Sequence, residues 1–232
     1  MVSVPIYFSE KEVVLPGQLL SDDSRRAGEG TYVMDGKVYA STVGAATIRD
    51  GKVEVITFKG PYRPAAGDMV IGVVSDIKPI GAEVDLGGRI TALLKIRNVR
   101  ELTSLNLKIG DVVYAKVASS GLRGVFLELN DQFKKINEGV LLMMTPTKVP
   151  RLIGKRGSMI SMLKKVTGCN IMVGTNGLVV VNGPSPAKEF AAISAIRLIE
   201  REAHSQGLTD KVLAHVSSLV GGEAKHGADG KA

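Results

Sequence analysis

The chain has 232 residues, a net charge of +7 and a single cysteine, Cys169. No apolar run approaches the roughly 18 residues that cross a bilayer, and residues 1–10 lack the basic start and apolar stretch of a signal peptide. Hydrophobic residues make up 44% of the chain and charged residues 23%, as in ordinary folded proteins. We therefore expect an ordered protein without membrane contact, in a reducing, cytoplasmic setting.

The excess positive charge is concentrated in one segment of the chain. Residues 1–60 carry 7 Lys and Arg against 8 Asp and Glu, and residues 61–130 carry 9 against 7. Residues 131–206 carry 11 against 5, whereas residues 207–232 carry 3 against 3. A clustered basic segment is the usual electrostatic footprint of nucleic-acid binding, so residues 131–206 are the first place to seek a polyanionic partner.

Residues 1–60 are predicted to form a β-rich N-terminal module. Short apolar runs alternate with turn signals at Pro16-Gly17, Asp35-Gly36 and Asp50-Gly51. This alternation is typical of a set of β-hairpins. Residues 21–30 contain little that is apolar and are predicted to form an exposed loop between the hairpins.

Residues 61–130 are predicted to form a five-stranded barrel of the OB type. The connection at residues 95–110 is longer than a hairpin needs, and residues 119–124 are predicted to form a tight turn. In an OB fold these connections lie beside the ligand face, so basic residues there are candidate RNA contacts. The predicted strands are 68–76, 83–86, 90–94, 112–117 and 125–129, and the candidate contacts are Lys95, Arg97, Arg100 and Arg123.

Residues 131–206 combine strands and helices, and residues 207–232 follow as a short helix and a tail predicted to be disordered from Gly221. One strand (140–144) precedes a short helix, a two-glycine turn, a second helix, two strands (170–173 and 178–181) and a long helix. A turn through Gly174, Asn176 and Gly177 joins the two strands. Apolar residues at helical spacing predict the buried faces: Met159, Leu163 and Val166 in the second helix, then Ala192, Ala195, Ile196, Ile199 and Ala203.

The strongest local signal is the run from Ile153 to Ile160, in which Lys155 and Arg156 stand between Gly154 and Gly157. Glycines allow a phosphodiester backbone to approach closely, and the helix that starts there offers unpaired N–H groups to an anion. This Gly-x-x-Gly turn between two helices resembles the nucleic-acid clamp of KH domains, which holds about four nucleotides.

Context supports this resemblance. Further basic residues lie close to the turn, at Lys148, Arg151, Lys164 and Lys165. Of these, Lys148 and Arg151 are candidate RNA contacts together with Gly154, Lys155, Arg156 and Gly157 of the turn. A second match to the same spacing, at residues 121–124, lies between predicted strands and is not expected to act as a clamp. The alternative interpretation is a turn between helices that needs glycine only for its geometry, with its cations solvated.

The predicted barrel has its own resemblance. Residues 67–74 followed by residues 81–86 resemble the OB variant first named from ribosomal protein S-one. Glu83 stands where an aromatic residue is common in that family, and the histidine that often follows the third strand is absent. We therefore expect this barrel to bind through the charge of its loops rather than through base stacking. The alternative is that the basic loops only keep the barrel soluble.

No catalytic, metal-binding or cofactor-binding set is predicted. His204, His215 and His226 lie near the C-terminus without the cysteine or carboxylate cluster that a metal site needs, and are expected to be solvated. Cys169 is expected to be a small core residue. No Walker loop, dinucleotide fingerprint or Ser-His-Asp set is recognisable.

The order of the modules over residues 5–205 resembles the RNA-binding cap subunit of the archaeal exosome, of the S-one plus KH type. Gln18 departs from the acidic residue expected after Pro16-Gly17. The fold class that follows is multidomain and mainly β with an α+β C-terminal domain. The local marks of the family are Val14-Leu15-Pro16-Gly17, Gly30-Thr31-Tyr32, Ser41-Thr42-Val43-Gly44 and Tyr62-Arg63-Pro64.

The resemblance implies a non-catalytic subunit that binds single-stranded RNA and sits, three copies at a time, on a hexameric ring of RNase PH-like subunits. It implies that the N-terminal module docks on the ring, that the barrel lines the entrance to the pore and that the KH domain lies outside. RNA would be guided to the pore for 3'-to-5' degradation.

Three other interpretations are weighed against the cap subunit. Polynucleotide phosphorylase carries both modules, but in it the KH domain precedes the barrel and large catalytic domains come first. A stand-alone translation-associated or ribosome-associated RNA binder would have the same modules and charge. A nuclease would need grouped carboxylates or another catalytic set.

Overall fold

The computed structural model describes residues 5–57, 61–96, 105–121, 123–203, 205 and 207–221. The chain divides into two compact units, Met1–Pro61 and Tyr62–Ala232. Within the described part of the chain, no helix is long and apolar enough to span a membrane. Several predictions made above lie outside the described residues: Arg97, Arg100, His204, His226 and the tail after Gly221.

The described residues of the first unit form six strands in two three-stranded antiparallel sheets. The sheet orders are β1-β5-β6 and β2-β4-β3, and fully buried side chains such as Val14, Leu20 and Val53 form its core. The strands are β1 (Val13–Val14), β2 (Leu19–Ser21), β3 (Thr31–Met34), β4 (Lys37–Ala40), β5 (Gly44–Arg49) and β6 (Lys52–Thr57).

Two of the three predicted hairpins are confirmed. Asp35-Gly36 joins β3 to β4 and Asp50-Gly51 joins β5 to β6, each with φ values of 51° and 77°. Positive φ at both central residues gives the turn whose twist matches the flanking strands. The hairpin predicted at Pro16-Gly17 is wrong, because β1 pairs with β5 whereas β2 pairs with β4. That turn leads the chain from one sheet to the other.

The loop predicted to be exposed at residues 21–30 is largely half-buried. Ser21 is fully buried, and Ser24–Arg26 forms a short 3-10 helix capped by Asp23, whose carboxylate accepts from the backbone N–H of Arg25 at 3.0 Å. Ala27 then bridges to Val53 on β6. The polar side chains satisfy the local backbone, so this segment packs against the sheet without needing apolar residues.

The second unit begins with the predicted barrel, and the five-stranded closure is confirmed. The strand order is β11-β9-β8-β7-β10, and β11 also pairs with β10 to close the barrel; β9 and β11 run parallel. A sixth strand, too short and polar to be recognised in the sequence, pairs with the outer edge of β10. The strands are β7 (Met69–Lys78), β8 (Gly81–Asp85), β9 (Thr91–Lys95), β10 (Val112–Gly121), β11 (Gly124–Glu128) and β12 (Lys134–Ile136).

The tight turn predicted at residues 119–124 is shorter than expected, because the β10–β11 ladder extends into this range. Ser119 pairs with Phe126, and the ladder continues to a pairing of Gly121 with Gly124. A bulge between Val117 and Ser119 increases the local twist of β10, which pairs with β7 over residues 112–116 and with β11 over residues 116–121.

The rest of the second unit has the predicted order of strands and helices. Its sheet has the order β13-β15-β14, and both apolar helical stripes pack in the core together with the buried Cys169. The elements are β13 (Val140–Met143), α1 (Val149–Ile153), α2 (Ser158–Thr167), β14 (Asn170–Val173), β15 (Leu178–Asn182), α3 (Pro186–Arg201) and α4 (Leu208–Gly221), with 3-10 turns at Pro146–Lys148 and Lys155–Gly157.

His215 is not simply solvated as expected. It lies half-buried on α4, and its Nε2 atom is 2.8 Å from the hydroxyl oxygen of Ser194 on α3. The periodicity of α4 was visible in the sequence, but the packing of α4 on α3 that creates this contact was not.

The tip of the β14–β15 hairpin is seated against the barrel. Asn176 is only 5% exposed, and its Nδ2 atom donates to the carbonyls of Ile71 and Leu86, each at 2.7 Å. Its Oδ1 atom accepts from the Ile71 N–H at 3.2 Å. Beside it, the backbone N–H of Thr175 donates to the Met69 carbonyl at 2.8 Å. The register of β7 with β8 begins only at Val73, so these bonds satisfy the backbone of β7 where β8 does not.

Replacing Asn176 should therefore weaken the junction within the second unit. Asn176→Ala leaves buried backbone groups without partners and should lower the free energy of unfolding by about 3 kcal/mol. Asn176→Asp should cost at least as much, because a carboxylate cannot donate to the two carbonyls. Urea unfolding followed by circular dichroism measures both, with the exposed Asn137→Ala as the control. Equal stability of all three variants would contradict the assignment.

Candidate nucleic-acid interface

The two-glycine turn between α1 and α2 has the conformation that only glycine adopts without strain. Gly154 has φ 75°, and a Cβ added there would lie 2.7 Å from both the Cβ and the N of Met159. Gly157 has φ 79°, but a Cβ there would meet nothing within 4 Å. The first glycine is thus needed for space and backbone conformation, and the second for backbone conformation alone.

The two cations of the turn are presented to solvent. Lys155 and Arg156 are both exposed, and neither pairs with a carboxylate among the described residues. Arg156 has φ 53° and ψ 31°, a left-handed conformation that is uncommon for a residue with a side chain. Strain of this kind clusters at functional sites, where surrounding structure maintains it. The turn therefore offers two unneutralised positive charges on a constrained loop.

Lys148 and Arg151, also predicted RNA contacts, occupy different surroundings. The ammonium of Lys148 donates to the carbonyl of Glu200 at 2.6 Å, near the end of α3, where a cation is favourable. The Glu200 carboxylate accepts from the N–H of Thr145 at 2.6 Å and from its hydroxyl at 2.8 Å. Lys148 thus helps to hold the segment that leads into α1, whereas Arg151 is exposed on α1.

The charge state of Glu200 supports this anchoring. Burial raises the pKa of the Glu200 carboxyl, but hydrogen bonds from Thr145 and Arg197 outweigh burial and hold that pKa below its usual value. The carboxylate is therefore charged at neutral pH and holds the loop before α1 in place.

On the barrel, Lys95 and Arg123 lie together around an aromatic ring that sequence reasoning missed. They line a surface depression of about 500 Å³ that also contains Phe126. The Lys95 ammonium lies 3.9 Å from the centroid of the Phe126 ring, a cation–π contact worth about 0.5–1 kcal/mol at an exposed site. Glu83, noted above for replacing an aromatic residue, pairs instead with Lys78. The barrel face thus combines charge with an aromatic ring.

The sequence held one clue to Phe126. It lies two residues after Gly124, in a strand of alternating pattern, next to the basic turn. The pairing of Phe126 with Leu93 of β9 places it beside Lys95, and that neighbour relation becomes apparent only when β9 and β11 are brought together.

Three family models match the chain in the order of its modules. The description "Exosome RNA binding protein RRP4 N-terminal domain" matches residues 11–59, the S1 RNA binding domain matches residues 63–119 and the KH domain matches residues 140–198. The S1 range covers β7, β8, β9 and most of β10 of the barrel, and the KH range contains the two-glycine turn.

Curated relatives match almost the whole chain. "Exosome complex component Rrp4" of Methanobrevibacter smithii is 39% identical over 94% of this chain and 75% of its own length. The protein of the same name from Methanothermus fervidus is 38% identical over 89% of this chain and 96% of its own length. The chain belongs to the Rrp4 family of exosome complex components. The family resemblance inferred from the sequence is thereby confirmed.

A solved structure supports the Rrp4 fold. It is described as that of an exosome complex RNA-binding protein, and it shares 30% identity and a TM-score of 0.64 with this chain. The match covers 71% of this chain and 99% of the other. In the part of this Rrp4 family member that the structure describes, no group of three or more His, Cys, Asp or Glu side chains is arranged to hold a metal ion.

The geometry of the turn predicts unequal costs for two alanine substitutions. Gly154→Ala adds a clash with the backbone of α2 to the cost of a left-handed alanine, and should destabilise the protein by about 2–4 kcal/mol. Gly157→Ala carries the conformational cost alone, about 1 kcal/mol. Urea unfolding of the two variants provides the comparison, each serving as the control for the other. Equal costs, or the reverse order, would show that the turn is not constrained as described.

Proposed function

We propose that this protein is a non-catalytic RNA-binding subunit of an exosome, capping a hexameric ring of RNase PH-like subunits and guiding single-stranded RNA to its pore for 3'-to-5' degradation. The observation that carries the proposal is the exposed Lys155-Arg156 pair, unneutralised and held in a strained turn, in a chain of the Rrp4 family.

RNA binding is assigned to two surfaces of the second unit. The KH turn accepts phosphates through its backbone N–H groups and its two cations. The barrel face contributes charge and the Phe126 ring, on which a base can stack. The residues that we propose to contact or position RNA are Gly154, Lys155, Arg156, Gly157, Lys148, Arg151, Lys95, Arg97, Arg100 and Arg123.

The N-terminal unit is proposed to dock on the ring. Strand β3 is an edge strand, and its Tyr32, Val33 and Met34 side chains are 39%, 47% and 49% exposed. An open edge with exposed apolar side chains is suited to a protein partner. With residues 1–60 near neutral in charge, this unit fits a protein surface better than RNA. We further propose three copies per ring and a cytoplasmic location.

We propose that catalysis belongs to the ring and not to this chain. In this proposal residues 1–60 dock on the ring, and residues 61–130 and 131–206 bind RNA. Residues 207–232 form a helix and a tail. No cofactor or metal is proposed.

Reversing the charges of the KH turn should weaken RNA binding without unfolding the protein. Lys155→Asp with Arg156→Asp removes no core contact, since both side chains are exposed. Loss of two charge-assisted contacts should reduce affinity at least about tenfold. Each lost phosphate contact should flatten the slope of log affinity against log salt by roughly 0.7. Fluorescence anisotropy with labelled single-stranded RNA measures both quantities, and circular dichroism checks folding.

The matched control reverses two exposed cations elsewhere. Arg49→Asp with Lys52→Asp on the β5–β6 hairpin changes the net charge equally and should leave RNA affinity near that of the parent. A third variant, Arg97→Glu with Arg100→Glu, tests the barrel. Unchanged affinity and slope in the turn variant beside a large loss in the barrel variant would remove the turn from the binding site.

Ring docking should depend on the first unit. Deleting residues 1–60 should abolish co-purification with the ring, and Val33→Lys with Met34→Lys in the full chain should weaken it at least about tenfold. The matched control is Val140→Lys with Leu141→Lys, an exposed apolar pair on another edge strand, β13. In the reconstituted complex, degradation of RNA should require the ring subunits, and this chain alone should not degrade RNA.

Two results would contradict this assignment. Normal assembly of the folded, truncated chain would show that the first unit is not the docking module. A parent chain that migrates as a free monomer in native lysate would favour the stand-alone RNA binder instead.

A further inference from the structure

The aromatic ring on the barrel face is covered by a cation of the same chain. The Lys95 ammonium lies 3.9 Å from the centroid of the Phe126 ring. Both side chains line the depression of about 500 Å³ described above, so the ammonium covers the ring on the side that opens to solvent. Stacked rings have their centroids about 4.5–7 Å apart. A base and this ammonium therefore cannot occupy the same face of the ring.

The strand register explains why Lys95 reaches the ring. Phe126 on β11 pairs with Leu93 on β9, and Lys95 follows Leu93 by two residues, so it lies on the same face of the sheet. On its other side Lys95 is opposite Gly81 of β8, where an added Cβ would clash with the Leu94 carbonyl oxygen. Because no side chain fits at that position, the neighbour left to Lys95 is the ring on β11.

Lys95 has no carboxylate partner that would hold it more firmly. Two glutamates lie on the same outer face of the barrel, and both are engaged by other lysines. Glu83 on β8 pairs with Lys78, and Glu128 on β11 pairs with Lys116 at 3.2 Å. Among the described residues Lys95 forms no ion pair, and no side chain that lines the depression is acidic. The ammonium is therefore held on the ring by a weak contact.

The strengths of the two competing contacts indicate that a base displaces the ammonium. A cation–π contact at an exposed site changes an equilibrium constant about two- to fivefold. Stacking of a base on an aromatic side chain changes it about 5- to 150-fold. The displaced ammonium remains on its flexible side chain beside the stacked nucleotide, where the RNA phosphates attract it.

We propose that Lys95 is a removable lid on the Phe126 ring. Its ammonium covers the ring until a base of single-stranded RNA displaces it, and it then contacts a phosphate of the same RNA. A ligand that brings a base and a phosphate together compensates for the lost cation–π contact, whereas a flat apolar molecule or a polyanion without bases supplies only one of the two. The lid thereby favours nucleic acid over both. This inference rests on the RNA-binding function proposed above.

A double-mutant cycle in the full chain tests the lid. Lys95→Ala, Phe126→Leu and the double variant are titrated by fluorescence anisotropy with labelled single-stranded RNA of about eight nucleotides, within the range that one OB barrel binds. Each single substitution removes an RNA contact, but it also frees the other group from the lid contact. The double variant should therefore lose about two- to fivefold more affinity than the product of the two single losses.

The outcomes separate the lid from the function on which it rests. If Phe126→Leu weakens binding but the double loss equals or falls below the product of the single losses, the lid is wrong and RNA binding by the barrel stands. If a folded Phe126→Leu binds RNA as the parent does, no base stacks on this ring, and the lid and the proposed role of the ring are both wrong. Circular dichroism checks the folding of each variant.

Arg123 provides the matched control. Its exposed side chain lines the same depression, whereas the cation over the ring is Lys95. Arg123→Ala combined with Phe126→Leu should lose the product of the two single losses, without an excess. An equal excess in this pair would indicate a general rearrangement of the depression and would overturn the lid. Lys95→Ala should also flatten the salt slope by about 0.7, and an unchanged slope would contradict the phosphate contact.

A second measurement does not depend on how Phe126→Leu folds. Without RNA, the ring current of Phe126 should shift the NMR signals of the Lys95 Cε protons upfield, and their absence from the Lys95→Ala spectrum assigns them. Saturation with RNA should return these signals to the position of the other lysines. Signals that keep their upfield shift in the saturated complex would show that the ammonium stays on the ring, which would overturn the displacement.

Discussion

The hydrogen bonds of Asn176 to the backbone of Ile71 and Leu86 hold the two halves of the second unit together. An amide is the side chain that can donate twice and accept once here, and reversing its oxygen and nitrogen would set the oxygen against two carbonyls. Around it, Ile71, Leu178 and Val180 form an apolar cluster with residues of both halves. This junction determines which face of the barrel borders the KH part.

The junction is buried and its polar groups are hydrogen-bonded, so the barrel and the KH part belong to one compact unit. The basic residues of this unit have different roles, which depend on the groups that they contact. Lys148 and Lys135 are engaged by Glu200 and Asp111 and support the structure, whereas Lys155, Arg156, Lys134 and Lys164 have no carboxylate partner among the described residues. Unneutralised cations, rather than the total charge of the segment, mark the surface that an RNA phosphate would approach.

Local sequence patterns predicted much of the fold. The Asp-Gly turns with their positive φ, the apolar stripes of α2 and α3, and the five barrel strands follow from period and turn chemistry that neighbouring residues determine. The polar segment 21–30 and the turn at Pro16-Gly17 were misread. The packing of the first depends on the bridge from Ala27 to β6, and the change of sheet at the second depends on the pairing of β1 with β5.

The candidate site divides in the same way. The two-glycine turn could be predicted from the sequence, because its functional groups lie within a few consecutive residues. Phe126 was not recognised, because its pairing with Leu93, which places it beside Lys95, joins two separate strands. Asn176 was read only as a turn residue, and the backbone that it bonds lies 105 residues away. No local pattern indicates a contact of that range.

The most direct test of a single RNA-binding surface is a residue-resolved NMR titration of the full chain with single-stranded RNA of about eight nucleotides. If barrel and KH residues bind together, the amide signals of Lys155, Arg156, Lys95 and Phe126 shift in parallel and give one dissociation constant. Saturation of the Lys155 and Arg156 signals while those of Lys95 and Phe126 stay unmoved, or shift at a separate RNA concentration, would contradict the account.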